Sequence, residues 1–315
     1  MDAILRTILP YTYVVGQEKL KLSLELAYIA PRIGGILISG ERGTAKSTTV
    51  RAFASMVYQH LPVTIPINAT EDRVIGGWQV QKLIEGKTVK LPGLIEEAHN
   101  KLLYIDEVNL LDDHIVNIIL DVTSTGKLII QRDGLNEQRD VRITLVGTMN
   151  PEEGGLRPQL LDRFGLMVDV TTMPDQAMRR EILKTVLQFD QALQQEEAGQ
   201  ISPFLEEGQK QTRQLRNELQ QARASYTQVE QTPEVTDACV RLAEGFHVEG
   251  HRADYLLAVA ATANAARYRE DHTTLEGLRS VAELVLRHRL TEESRVSTTE
   301  WGIDHDRLVD ELIFL

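Results

Sequence analysis

The sequence predicts an α/β protein, a parallel-sheet domain followed by a long helical insertion and a small all-helical domain. Three observations predict it. From about residue 12 to about residue 190, short apolar segments alternate with helical patterns, the rhythm of a parallel sheet with crossover helices. From Asp175 onward the strand signal nearly vanishes and apolar residues recur at helical spacing. Between the first apolar segment and the first long helical pattern lies a glycine-rich turn, Gly40-Glu41-Arg42-Gly43-Thr44-Ala45-Lys46-Ser47.

Strands are expected at 35–39, 63–67, 102–105, 143–147 and 166–170, each short and apolar as a buried parallel strand would be. Residues 47–57 suit a helix. Pro31, Pro66, Pro92, Pro151 and Pro158 punctuate the first domain at turns. Leu128 begins an expected hairpin, with Asp133-Gly134 as its turn. Farther on, Leu215, Leu219, Ala222, Tyr226 and Val229 form one stripe of a long helix. That stretch is rich in polar residues, including Gln191, Gln194, Gln195, Glu196 and Glu197, and reads first as a solvated helical hairpin and second as a partner-binding arm. The expected boundaries are 1–190 for the sheet domain, 191–232 for the insertion and 233–315 for the helical domain.

Composition narrows the classes. At 315 residues with 42% hydrophobic content, the chain can build a real core. No apolar run approaches the ~20 residues a bilayer span requires. The first six residues lack the apolar core of a secretory leader. The single cysteine, Cys239, excludes an internal disulfide and a cysteine-rich zinc site. The formal charge of −12, with no basic block, points away from nucleic acid. A soluble cytoplasmic protein with no membrane and no nucleic-acid partner is expected.

The turn at Gly40 is expected to bind nucleotide phosphates. Its backbone N–H groups and the following helix end would cradle them. Lys46 would reach the β- and γ-phosphates, and the Ser47 hydroxyl, followed by Thr48, would ligate Mg²⁺. Ala45 stands where the usual pattern has its second glycine; Ala is tolerated if that position keeps a negative φ, so the loop is read as a working variant. Residues 101–105 are an apolar strand running into Asp106 and Glu107. A carboxylate at a strand tip can hold the metal, and Glu107 is placed to orient the attacking water. The pair points to active hydrolysis rather than to a switch.

The run Asp106-Glu107-Val108-Asn109-Leu110-Leu111-Asp112-Asp113-His114 resembles the AAA+ ATPase family and, within it, the magnesium chelatase I subunit. Four further segments carry the resemblance: 15–17 (Val15, Gly16, Gln17), 69–77, 147–155 and 156–165. It implies ATP and Mg²⁺ bound between the sheet domain and a helical lid, with Val15, Gly16 and Gln17 flanking the adenine. It further implies that Asn150 senses the γ-phosphate and that Arg163 acts as an arginine finger on the neighbouring subunit's nucleotide. Asn150-Pro151 is also a turn, and an Asp162–Arg163 surface pair is the plainer reading of that arginine. Arg157 is a second interface candidate. In Gly250-His251-Arg252-Ala253-Asp254-Tyr255, Arg252 resembles the sensor 2 arginine; the plainer readings are an Arg252–Asp254 pair and a solvent-facing His251. His288-Arg289-Leu290 reads as structural. Residues 88–95 resemble the family's helix 2 insertion.

The resemblance also implies a homo-oligomeric ring, usually a hexamer, a von Willebrand-type partner subunit, and a large subunit that inserts metal into a tetrapyrrole. The chain would hydrolyse ATP alone and not chelate metal alone. A MoxR-type chaperone that remodels or metal-loads another protein is the alternative, which Ala45 favours weakly. A non-hydrolysing scaffold or DNA loader fits least well.

Overall fold

The computed structural model describes residues 7–78, 89–132, 135–172, 175–290 and 301–315. Five strands build its central parallel sheet: β1 (Ile36–Gly40), β2 (Val63–Ile65), β5 (Lys101–Ile105), β8 (Ile143–Met149) and β9 (Leu166–Val170). Their order across the sheet is β2-β5-β8-β1-β9. The strands missing from that series form two short antiparallel hairpins: β3 (Gly76–Trp78) with β4 (Lys90–Pro92), and β6 (Lys127–Arg132) with β7 (Leu135–Asp140).

All five expected strands form, within a few residues of their expected ends. β2 stops at Ile65 rather than continuing to residue 67, because Pro66 has no N–H to give the ladder. Of the expected turn in the second hairpin, Asp133 and Gly134 lie outside the described residues, as does Thr88 of the 88–95 segment.

The order places β8 beside β5 in parallel register, Leu103 opposite Leu145 and Ile105 opposite Gly147. Asp106 and Asn150, each just past the end of its strand, therefore emerge at the same edge of the sheet. This is the carboxyl edge, where open α/β sheets collect their ligands.

The chain folds into two compact units. One comprises Ile38–Gly155, Asp169–Arg216 and the segment before Lys19; the other comprises Lys19–Leu37, Leu156–Val168 and Asn217–Leu315.

In the first unit, α2 (Lys46–Tyr58) buries Val50, Phe53 and Ala54, and Tyr11 meets Phe53 edge-on at 5.4 Å between ring centroids. Two short helices, α3 (Glu71–Ile75) and α4 (Leu94–Glu97), flank the first hairpin. α5 (Asp113–Thr125) starts where the Asp112 carboxylate accepts the His114 N–H at 2.8 Å and ends at left-handed Gly126. α7 (Gln176–Glu197) is capped by Asp175 and runs unbroken across residue 190, so the expected domain boundary falls inside a helix. It forms a hairpin with α8 (Pro203–Ser225) around Phe189, Ala192 and Leu205. The expected stripe is half right. Leu219 and Ala222 are buried, but α8 ends at Ser225, before Tyr226 and Val229.

The second unit holds most of α1 (Glu18–Ile29), the short α6 (Pro158–Leu161) and four later helices. These are α9 (Pro233–Gly245), α10 (Arg252–Tyr268), α11 (Leu275–Leu286) and α12 (Ile303–Ile313). α10 is nearly all apolar on its inner turns, burying Leu256, Leu257, Ala260 and Ala263. Trp301 stacks on both Phe246 and His305. Glu25 of α1 is buried and pairs with Arg267 of α10 at 2.6 Å, so a buried carboxylate has its cation.

Candidate functional site

The turn after β1 starts at Gly40, where a Cβ would lie 2.1 Å from the Val170 carbonyl oxygen; no other residue fits there. The Lys46 ammonium folds back onto its own loop, donating to the carbonyls of Gly40 and Glu41, the latter at 2.7 Å. Thr44 also donates to the Glu41 carbonyl at 2.8 Å. Partial burial lowers the Lys46 pKa, while Asp106, Glu107 and Glu41 act the other way.

Ala45 corrects the sequence reading. It sits at φ +63°, in the left-handed region, not at the negative φ that would make alanine harmless. The loop keeps its shape with alanine there, under local strain.

Arg42, Gly43, Thr44, Ala45, Lys46, Ser47 and Thr48 line one open cavity of about 440 Å³ together with Asp106, Glu107 and Asn150. Tyr104 ties its acidic wall to the first turn of α2. The Tyr104 hydroxyl donates to Asp106 Oδ1 at 2.9 Å and lies 2.9 Å from Ser47 Oγ. Thr148 donates to the same Asp106 oxygen at 2.8 Å. Burial raises the Tyr104 pKa, which keeps that hydroxyl a proton donor.

Glu107 takes a left-handed φ of +55° just past β5. Its carboxylate accepts from Arg42 at 3.3 Å, and Arg42 also pairs with Glu153. Asn150 is buried, and its side-chain oxygen accepts the Glu152 N–H at 3.3 Å, so the Asn-Pro turn is real.

A second cavity, of about 360 Å³, shares Gly43, Thr44, Ala45 and Thr48 with the first. Val15 and Gln17 line it, and Gln17 Nε2 donates to the Thr44 carbonyl at 3.1 Å. Gly16, at φ +69°, makes the turn between them. Arg179, Ile182 and Val186, on one face of α7, close it.

Arg163 and Arg252 belong to the other unit. There Arg252 Nη2 donates to the Arg163 carbonyl at 2.7 Å. Arg252 Nε is buried with no partner among the described residues. Asp254 faces the exposed His251 at 3.7 Å, and its Oδ2, like Arg252 Nε, has no hydrogen-bond partner among the described residues. The Asp162 carboxylate accepts from Arg289 Nε at 3.0 Å.

Sequence reading missed Tyr104, Thr148 and the α7 residues. A signal for the first two existed: each stands two residues before a chosen residue, Asp106 and Asn150, and period two puts such pairs on one face of a strand. The α7 face, spaced three and four apart, could be found only once the helix was seen to begin at Gln176.

Comparison with known proteins agrees with this arrangement. The profile of the AAA domain (dynein-related subfamily) matches residues 35–164, and that of the AAA lid domain matches residues 236–311. The magnesium-chelatase 38 kDa subunit of Chlorobaculum parvum is 38% identical, with 95% of this chain and 95% of that protein covered. The magnesium-chelatase subunit ChlI homolog of Methanocaldococcus jannaschii is also 38% identical, over 91% of this chain and 87% of its own. Among solved structures, a complex of the BchI and BchD subunits of magnesium chelatase aligns with a TM-score of 0.50 at 33% identity, over 97% of this chain and 99% of that one. The chain is an ATPase and belongs to the magnesium-chelatase I-subunit family of AAA+ proteins.

Proposed function

We propose that the protein is the ATP-hydrolysing motor of a metal chelatase, working as a ring, six-membered by family expectation, in the cytoplasm. Its partners would be a von Willebrand-type subunit and a large subunit that inserts magnesium or cobalt into a tetrapyrrole. The observation that supports hydrolysis is the convergence of the loop Arg42–Thr48, Asp106, Glu107 and Asn150 on one cavity. The chelatase role rests on similarity to chelatase subunits over nearly the whole chain.

The donor set fits Mg²⁺. Ser47 Oγ and Asp106 Oδ1 are both hard oxygens, each held to the Tyr104 hydroxyl at 2.9 Å. Mg²⁺ keeps several waters and binds through one or two protein oxygens plus substrate phosphates, which suits so small a donor set. Bound there, Mg²⁺ would neutralise charge developing on the β- and γ-phosphates.

The chain's own residues do the rest. The adenosine would occupy the cavity lined by Val15 and Gln17, and Glu41 shapes the loop through its carbonyl. Lys46 would exchange its loop carbonyls for phosphate oxygens. Glu107, released from Arg42, would orient and polarise water; Asn150 would hold that water or the γ-phosphate. Arg252, with an unpartnered buried N–H, has a donor to spare for the γ-phosphate. Arg163 would stabilise transition-state charge at the neighbouring site.

Glu107→Gln tests the core of this reading. It should retain ATP and lose turnover by about 10²–10⁴-fold. Unchanged turnover overturns the assignment. Magnesium insertion into a porphyrin, reconstituted with chelatase partner subunits, should require the wild-type chain and fail with Glu107→Gln; insertion indifferent to this chain overturns the chelatase role.

A further inference from the structure

The turn that bears Arg163 has an unusual set of hydrogen bonds. Four successive carbonyls, from Asp162 to Gly165, all accept from side chains of the helical region. Arg289 donates to Asp162 O at 2.8 Å, to Phe164 O at 2.7 Å and to Gly165 O at 3.3 Å. Arg252 donates to Arg163 O at 2.7 Å. His288 Nε2 donates to Phe164 O at 2.9 Å.

Arg289 completes its set with Asp162 Oδ1 and the Val285 carbonyl. All five N–H bonds of the guanidinium are used, each on a different acceptor, and only the planar fork of arginine can do this. The side chain is 2% exposed. On its far side the turn abuts the backbone before β1: a Cβ on Gly165 would lie 1.8 Å from the Ile33 carbonyl oxygen. The turn thus has no slack on either side.

The bonds of Arg289 to the turn go to the two residues flanking Arg163 and to the next carbonyl along. Residues 156–168 also group with the helical region, not with the sheet-bearing unit. We propose that Arg289 is a positioning residue for Arg163. The finger is carried by the lid, and Arg252, the first residue of α10, joins that helix directly to it, so any lid movement on nucleotide binding moves the finger offered to the next subunit. The proposal rests on the reading of Arg163 as a finger acting in trans.

Arg289→Lys keeps the charge and removes the fork. Misplacing a catalytic group by about 1 Å can cost about 10²-fold, so kcat should fall by about that factor. KM for ATP should stay within about twofold, because the variant's own nucleotide pocket is intact. The readout that a structural role would not move is subunit mixing. Glu107→Gln subunits have silent sites but sound fingers. Mixed with Arg289→Lys, they should raise turnover above the sum of the two alone; Arg163→Ala subunits, lacking the finger, should not. If Arg163→Ala is rescued by Glu107→Gln but Arg289→Lys is not, or if Arg289→Lys turns over like wild type, the positioning role is wrong. If Arg163→Ala itself needs no rescue, it is the trans-finger reading that fails. Should Arg289→Lys not fold, Asp162→Asn takes its place. Asp162 is half-exposed, and the change weakens only one of the five bonds; the same rescue pattern is expected with a loss of about tenfold, and its absence overturns the proposal equally.

Discussion

Ala45 offers the sharpest test of the loop's physics. It occupies φ +63° and ψ 18°, is exposed, and its side chain makes no capping bond to α2. Replacing it with glycine therefore removes almost no packing. What it removes is the clash of Cβ with the backbone in the left-handed region, about 1–2 kcal/mol. Against this, glycine loosens the unfolded chain by about 0.4–1 kcal/mol. The net expectation is a stabilisation of about 0.5–1 kcal/mol, or about 1–3 °C in the melting of a unit this size. Ala45→Val should move melting the opposite way, since a β-branched residue suits positive φ least. Thermal unfolding followed by circular dichroism, with all three proteins at one ionic strength and without nucleotide, reads both changes. If glycine leaves the melting temperature unchanged or lowers it while valine is neutral, position 45 is not left-handed and alanine carries no strain there.

Tyr104→Phe keeps the ring buried but removes the donor to Asp106; with Thr148 still in place, about 1.5 kcal/mol is lost, and the Mg²⁺ concentration for half-maximal ATPase should rise about tenfold. An unchanged Mg²⁺ requirement would show that the hydroxyl does not organise the site. The buried His288 imidazole is held neutral, its pKa well below the usual value because of burial and the neighbouring Arg289 and Arg252. The unfolded chain binds a proton there below about pH 6.5 that the folded chain refuses, so the His288 contribution to stability should be flat above that pH and fall below it; His288→Gln should flatten part of the acid-side fall, and an identical acid-side profile refutes the assignment. Burial pushes the Cys239 thiol up to about 12. It should resist alkylation at about pH 8 in the native protein and react fully in denaturant, and native labelling to completion would contradict its burial.

Much of this protein was legible from local pattern alone. The strands, the glycine turn and the two carboxylates are encoded by neighbours in sequence, because short apolar runs, positive-φ glycines and residues at strand tips depend on few distant partners. The same holds for the helix caps at Asp112 and Asp175, where side chain and donor lie two or three residues apart. The helical hairpin was seen, but its start at Gln176 was not. No proline or glycine breaks the pattern at residue 190, and only the packing around Phe189 and Leu205 shows where the pair begins.

By itself the sequence determined a parallel α/β nucleotide-binding domain followed by helices, and it named most residues of the cavity. The tertiary structure decided what joins them. β8 lies between β5 and β1, so the ends of distant strands share one edge. Tyr104 meets Asp106 within one strand, at the period-two spacing, but Thr148 reaches the same carboxylate only because β8 pairs with β5. Ala45 proved left-handed because the turn from β1 into α2 demands it. Arg289, which reads as one more basic residue near a helix end, lies 127 positions from the Asp162 it binds. Hydrogen bonds are short-ranged in space but blind to sequence separation, and so the clamp on the Arg163 turn exists only in the folded chain.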